Sequence, residues 1–257
     1  MKKAILIVSF GTTYPETRQK NIAAITRQVR ALYPDALVAE AVSSTIVRNA
    51  MKKREHIDAK SPEEGLLWLK EQGATHIVVF PTHVIDGIEN YRVKRVVEEY
   101  KTDFKQITVA DALLAKSCDY TNVAKALWES LKEKVGNAPL ILMGHGTEHT
   151  ADSSYAVMEQ ALQAYAQQPV YIATVEGKRT IADVIAQMQS EDIVNVRVVV
   201  APFMLVAGDH AHNDMAGMED SFASLLKENG YLPECILRGL GEYPAVREIY
   251  LSHLQKA

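Results

Sequence analysis

The sequence predicts an α/β protein of two similar lobes, each a four-stranded parallel sheet flanked by helices. Three observations predict it. Short apolar runs alternate with amphipathic stretches along the whole chain. The runs are β-branched and continuous rather than alternating, the pattern of strands buried on both faces. The plan also repeats: Phe10 and His145 follow strands 135 residues apart, and Pro81 and Pro202 lie 121 apart. Strand–helix alternation of this kind implies parallel sheets covered by helices on both sides.

The strands are expected at Lys3–Ser9, Leu37–Val42, His76–Pro81 and Gln106–Ala110, then Leu140–Gly144, Val170–Val175, Val196–Ala201 and Leu232–Leu237. The opening MKKAILIVSF has the basic start and apolar run of a signal peptide. Its apolar run stops after about six residues with no cleavage pattern, so it reads as the first buried strand. Helix starts are marked in the sequence. Thr13-Tyr14-Pro15-Glu16 sets a capping threonine ahead of a first-turn proline, and Ser61-Pro62-Glu63-Glu64 forms a capping box. A helix near Ser117–Lys134 ends toward Gly136, and a last one runs from about Tyr243 to Leu254. Four strands fall in an N-terminal lobe, 1–125, and four in a C-terminal lobe, 126–257, with the C-terminal helix free to pack on the first lobe. No Pro/Gly/Ser-rich linker separates the lobes, which predicts close packing with a cleft between them.

The chain has 257 residues, 47% of them hydrophobic and 23% charged, ordinary values for a globular protein. A net charge of −4 speaks against a general nucleic-acid or anionic-membrane surface. No stretch approaches the ~20 apolar residues of a membrane span. Cys118 and Cys235 are far apart and suggest neither a disulfide framework nor a thiolate metal site. A cytoplasmic protein is the expectation.

Ligands of open parallel sheets bind beyond the carboxyl ends of the strands. Ser9, Ser43, His83, His145 and Glu176 fall at such ends, and His210 follows one by a short loop. His145 stands between Gly144 and Gly146, which permit a sharp turn and leave the imidazole open; the plainer alternative is a buried, helix-capping histidine. HGTEH (145–149) matches the H-x-x-E-H zinc-protease pattern, but that pattern needs a continuous helix, and this one starts in a Gly-His-Gly turn. Glu148 and His149 therefore read as solvent-facing or as groups that support a ligand from behind. In GDHAHND (208–214) the two histidines would point about 200° apart on a helix, so one is a ligand candidate and the other a surface group or a support behind the ligand. Asp209 and Asp214 read as helix-start carboxylates. Glu176 has Ser43 as its counterpart at an offset of 133, so only the second lobe carries a carboxylate there. Two neutral imidazoles and a carboxylate suit a first-row divalent ion held in an open, exchangeable site.

The segments SFGTTYPET (9–17), THVIDGIEN (82–90), MGHG (143–146), VEG (175–177), PFMLVAGDHAHNDMAG (202–217) and GLGEYPAV (239–246) closely resemble the CbiK-type anaerobic sirohydrochlorin cobaltochelatases of the cobalamin pathway. That family lies within the class II chelatase superfamily, which includes ferrochelatase. The resemblance runs through nearly the whole chain. It implies two α/β lobes with the tetrapyrrole between them, and a metal held by His145, Glu176 and His210. The activity it implies is that of a metal-inserting lyase: ATP-independent insertion of Co2+ into sirohydrochlorin, or its precorrin-2 relative, with loss of two pyrrole protons. In this reading His145 accepts a proton, Glu176 holds the ion and relays charge, and His210 completes the grip. Ser9, Phe10, Gly11, Thr12, His83, Glu89, Met204 and Leu205 are the implied substrate-binding residues. Phe10 and Phe203-Met204-Leu205 would press on the ring faces. Lys178, Arg179, Arg48 and Arg18 could meet its carboxylates.

No nucleotide is implied, and the chain lacks a G-x-x-x-x-G-K-[ST] phosphate loop. Imidazole and carboxylate ligands accept cobalt, iron, nickel and zinc alike. Insertion of Fe2+ into sirohydrochlorin or a porphyrin therefore stays open, as does a tetrapyrrole or metal carrier without turnover. The expected partner is a small-molecule tetrapyrrole, with neither nucleic acid nor membrane. Monomer and homo-oligomer are both left open.

Overall fold

The structure is a computed structural model and describes residues 2–257. The chain divides into two compact units, Met1–Ala115 with Arg247–Ala257, and Lys116–Val246. A division at 125/126 would fall inside helix Ser117–Val135, which the second unit keeps whole.

The first unit is built on β1 (Lys3–Ser9), β2 (Leu37–Val42), β3 (His76–Pro81) and β4 (Gln106–Val109). They form one parallel sheet in the order β2-β1-β3-β4, with Ser9 opposite Val42 and Val8 opposite Pro81. The central strand β1 is buried from Ala4 to Ser9, as its unbroken apolar run requires. The outer β4 is only partly covered, because an edge strand has a neighbour on one side only.

Helices α1 (Pro15–Lys20) and α2 (Ile22–Leu32) follow β1. The α1 cap differs from expectation. Pro15 occupies the first helical position, so Tyr14 rather than Thr13 is the N-cap, and it makes no side-chain cap bond. Helix α2 buries Ile22, Ile25, Thr26 and Val29, the i, i+3, i+4, i+7 spacing of one face. After β2 come α3 (Thr45–Glu55) and α4 (Pro62–Glu71), the latter opened by the expected Ser61–Glu64 capping box. Leu66 and Leu69 of α4 are fully buried against Leu6 and Ile77, each contributing about 1.5–3 kcal/mol. Helix α5 (Ile88–Glu99) joins β3 to β4. From Arg247 on, the C-terminal helix belongs to this unit: the Tyr250 hydroxyl donates to the Thr82 carbonyl at 3.0 Å, and its ring meets Phe80 edge-on.

The second unit repeats the plan. Its strands β5 (Leu140–Gly144), β6 (Val170–Thr174), β7 (Arg197–Pro202) and β8 (Leu232–Cys235) run parallel in the order β6-β5-β7-β8. Strands β5 and β6 are buried throughout, whereas the edge strand β8 alternates between exposed and half-buried residues. Helix α6 (Ser117–Val135), closed by Gly136, leads into β5. Helices α7 (Ser153–Ala166), α8 (Ile181–Ser190) and α9 (Phe222–Glu228) make the later connections. Ile141, Met143, Tyr171, Val184, Met188, Val198, Val200 and Leu226 share one core. Among the described residues, no helix is long and apolar enough to cross a membrane.

Candidate metal centre

In the second unit His145 is the residue immediately after β5. Gly146 follows at φ +84°, where a side chain would be strained and would run into the backbone of Gly177. The β5 and β6 loops are thus packed backbone to backbone. The Val175 amide donates to the Gly144 carbonyl at 3.1 Å and the Glu176 amide to the His145 carbonyl at 2.8 Å. This extension of the ladder brings Glu176 Oε2 to 3.8 Å from His145 Nδ1.

His210 opens the helical turn after β7, which continues as a π-helical turn over Ala211–Met215. Such turns are frequent at functional sites. The His210 ring meets that of His145 edge to face, with centroids 4.8 Å apart and planes at 87°. Its Nδ1 lies 2.8 Å from Asp214 Oδ2. A carboxylate at one ring nitrogen fixes the proton there and leaves the lone pair on Nε2. The same holds for His145, whose Nδ1 lies 3.0 Å from the Gly146 carbonyl, a group that can only accept. Two imidazoles offering Nε2, with a carboxylate beside one of them, can ligate a divalent first-row ion. Among the described residues, no group of three or more His, Cys, Asp or Glu side chains is closed into a metal cage. His145 is common to two pairs, one with Glu176 and one with His210.

Asp214 was legible only as a helix-start carboxylate, although its spacing of four from His210 carried the signal. His212 is exposed. Residues 145–149 form a loop, and His149 Nδ1 accepts the Ala151 amide at 3.1 Å, capping a short turn. The helix that a zinc-protease motif needs is absent there.

The first unit shows why the donors lie in the second. Its Ser44 amide donates to the Phe10 carbonyl as Glu176 does to His145. The ladder pairs Ser9 with Val42 and Gly144 with Thr174, so Ser44, not Ser43, is the structural counterpart of Glu176. Glu89, in the first turn of α5, stands at the 121-residue offset from His210. Phenylalanine, serine and glutamate thus occupy the positions of histidine, glutamate and histidine. The Glu89 carboxylate accepts the Ser43 hydroxyl at 3.3 Å and pairs with Arg92.

Other sequence candidates fall into place as follows. Phe10 is exposed, Ser9 and Thr12 are buried, and Gly11 takes φ +95°. Thr12 holds its own turn, accepting the Tyr14 amide at 3.2 Å on Oγ1. His83 is half-buried, yet both of its ring nitrogens are sealed from solvent without a hydrogen-bond partner. Burial pushes its pKa down to about 4, against the opposing pull of Asp86. Met204 packs partly against the core, and Leu205 is buried. Phe203 is fully buried, edge-on to Tyr155, and so cannot offer a face to a ring. Three of the four basic candidates are committed internally: Arg18 to Glu55, Arg48 to the carbonyls of Val42 and Ser43, and Arg179 to Glu159 and Gln187. Lys178 is exposed.

Comparison with known proteins fits this arrangement. The family model for cobalt chelatase (CbiK) matches residues 3–257. A sirohydrochlorin cobaltochelatase of Salmonella typhimurium is 33% identical over 258 residues, covering 100% of this chain and 97% of its own. The sirohydrochlorin cobaltochelatase CbiKC of Nitratidesulfovibrio vulgaris is 32% identical, covering 100% and 90%. Among solved structures, SirB from Bacillus subtilis with Fe3+ shares the fold, at a TM-score of 0.69 and 19% identity, over 100% of this chain and 95% of its own. CbiX, the terminal enzyme for biosynthesis of siroheme in denitrifying bacteria, does so at 0.61 and 18%, over 99% of each chain. The full-length match and the two relatives above 30% identity place this chain in the cobalt chelatase (CbiK) family.

Proposed function

We propose that this protein inserts Co2+ into sirohydrochlorin in cobalamin biosynthesis, as a sirohydrochlorin cobaltochelatase working without nucleotide. The observation that carries the reading is the meeting of His145 with both Glu176 and His210 at the carboxyl ends of three parallel strands. The names of the two full-length relatives support the choice of ion and tetrapyrrole.

In this reading Co2+ is a substrate, held by Nε2 of His145 and His210 with Glu176 alongside. The tetrapyrrole must give up two pyrrole protons as the ion enters, so the charge on the ring and ion balances and two protons leave. The Nε2 lone pair of His145 cannot hold the ion and a proton together. The ion therefore leaves first, and the vacated Nε2 accepts the two pyrrole protons one after the other as general base, releasing the first before it takes the second. Glu176 is exposed and neighbours His145, which suits it to pass protons on to solvent. Asp214 keeps the His210 proton on Nδ1 throughout. Ser9, Phe10, Gly11, Thr12, His83, Glu89, Met204 and Leu205 are the further substrate-binding residues of the proposal. The two free cysteines fit a reducing, cytoplasmic setting.

The test is spectroscopic. Purified protein with excess sirohydrochlorin and Co2+ should convert many equivalents of the chromophore per polypeptide. A change that stops at one equivalent would make the protein a carrier. Faster turnover with Fe2+ than with Co2+ would move it to the iron reading.

A further inference from the structure

Asp152 stands at the N-cap of α7, yet its side chain caps none of that helix's amides. Its carboxylate is turned to two other loops. Oδ1 accepts the Thr147 amide at 3.1 Å, just after His145, and Oδ2 accepts the Lys178 amide at 3.3 Å, just after Glu176. The two loops meet at Gly146 and Gly177, where no side chain fits. A Cβ on Gly177 would lie 2.5 Å from both Asp152 Oδ1 and Thr174 Oγ1. The surroundings are anchored as well. The Tyr155 hydroxyl accepts the Gly146 amide at 3.3 Å, and the 175–178 turn is closed by the Thr174 amide on the Arg179 carbonyl at 2.7 Å. Asp152 is the one side chain among these contacts whose two oxygens each hold a different loop.

We propose that Asp152 is a positioning residue, which sets the spacing of His145 and Glu176 and thereby the affinity for the incoming metal ion. The inference rests on the reading that those two side chains hold the ion. A carboxylate bridging two backbone amides has one geometry, so the loops cannot slide past one another without losing a charge-assisted hydrogen bond. Without it, the loops are joined by the Val175–Gly144 and Glu176–His145 backbone bonds alone, and beyond those bonds Gly146 and Gly177 have no side chains to interlock, so the range of His145–Glu176 spacings widens. Contacts outside the ligand shell that orient ligands commonly control metal affinity in this way.

The experiment uses the full-length protein with Asp152→Ala, Asp152→Asn and His145→Ala. Initial insertion rates are measured against Co2+ at saturating sirohydrochlorin and against sirohydrochlorin at saturating Co2+, with circular dichroism to check the fold. Asp152→Ala should raise the KM for Co2+ roughly tenfold and leave that for sirohydrochlorin unchanged. Asp152→Asn keeps one acceptor oxygen but turns an amide donor toward the second loop, so its Co2+ KM should lie between wild type and alanine. This variant also carries the test if alanine does not fold. A Co2+ KM equal to wild type in the folded variants, or equal rises in both KM values, overturns the inference. His145→Ala separates the two ideas: if it inserts cobalt normally, the metal reading itself fails, whatever Asp152 does.

Discussion

His210 Nδ1 and Asp214 Oδ2 lie 2.8 Å apart across one turn that is π-helical rather than α-helical. The spacing of four sets the carboxylate on the same face as a ring that also meets His145. The contact assigns different work to the two histidines of the loop. His210→Ala should lose most of the insertion activity, because it removes a metal donor. His212 is exposed, and His212→Ala should be nearly neutral. Asp214→Asn should fall between them, weakening Co2+ dependence on the order of tenfold by loosening the His210 tautomer. Steady-state rates of the three variants, measured side by side, check the order; a harsher effect at His212 than at His210 would exchange their roles.

His145 is partly exposed and lies beyond the last residue of β5, so it adds little to the core. His145→Ala should therefore abolish insertion while shifting unfolding free energy by no more than about 0.5 kcal/mol, the usual range for surface changes. Chromophore turnover and denaturant unfolding on the same preparation read the two effects separately. Loss of folding together with activity would return His145 to a structural role.

The strands were legible because central strands of parallel sheets are unbroken apolar runs, and β1, β3 and β5 fall where those runs are. Register was harder to read. Val175-Glu176 resembles Val42-Ser43 in sequence, but Val175 lies past the end of β6, and the registers of the two sheets make Ser44 the counterpart of Glu176. A similar one-residue shift moved the α1 cap from Thr13 to Tyr14, because Pro15 fixes the first helical position. The histidines of the site could be found because imidazoles at strand ends are uncommon and chemically specific. Their supports could not. Asp152 precedes a helix, where a carboxylate ordinarily reads as a cap, and Asp214 lies inside a short turn whose start the sequence does not mark. Arg18, Arg48 and Arg179 were legible as charges, while their internal partners depend on residues distant in the chain or on loop carbonyls.

Arg179 illustrates what that difference predicts. Its guanidinium donates to Glu159 at 2.6 Å, and the same carboxylate accepts the Ile172 amide at 2.5 Å in the interior of the second unit. Arg179→Met would leave Glu159 buried with its charge half-compensated. The expected cost is about 2–3 kcal/mol, below the usual figure for a broken buried pair because Arg179 is itself partly exposed and the amide remains. Urea denaturation should show that loss, with an unchanged KM for the tetrapyrrole in the folded fraction. A raised KM with wild-type stability would instead make Arg179 an anion donor for substrate.

His83 ties stability to acidity. Burial holds its folded pKa at about 4, below the unfolded value of 6.5, with Asp86 opposing only in part. Above pH 6.5 the ring is neutral in both states and imposes no penalty. Below that, the unfolded chain takes up a proton that the folded one refuses, so stability falls as pH drops from about 6.5 to 4. A shift of this size corresponds to about 3 kcal/mol over the window. Both ring nitrogens lack partners, so His83→Leu removes the titration without breaking a hydrogen bond. Chemical denaturation at pH 7 and at pH 4.5 should show the leucine variant losing markedly less stability between the two than wild type. Equal losses in both proteins would mean that the imidazole is reached by solvent at acid pH and is not the group that titrates.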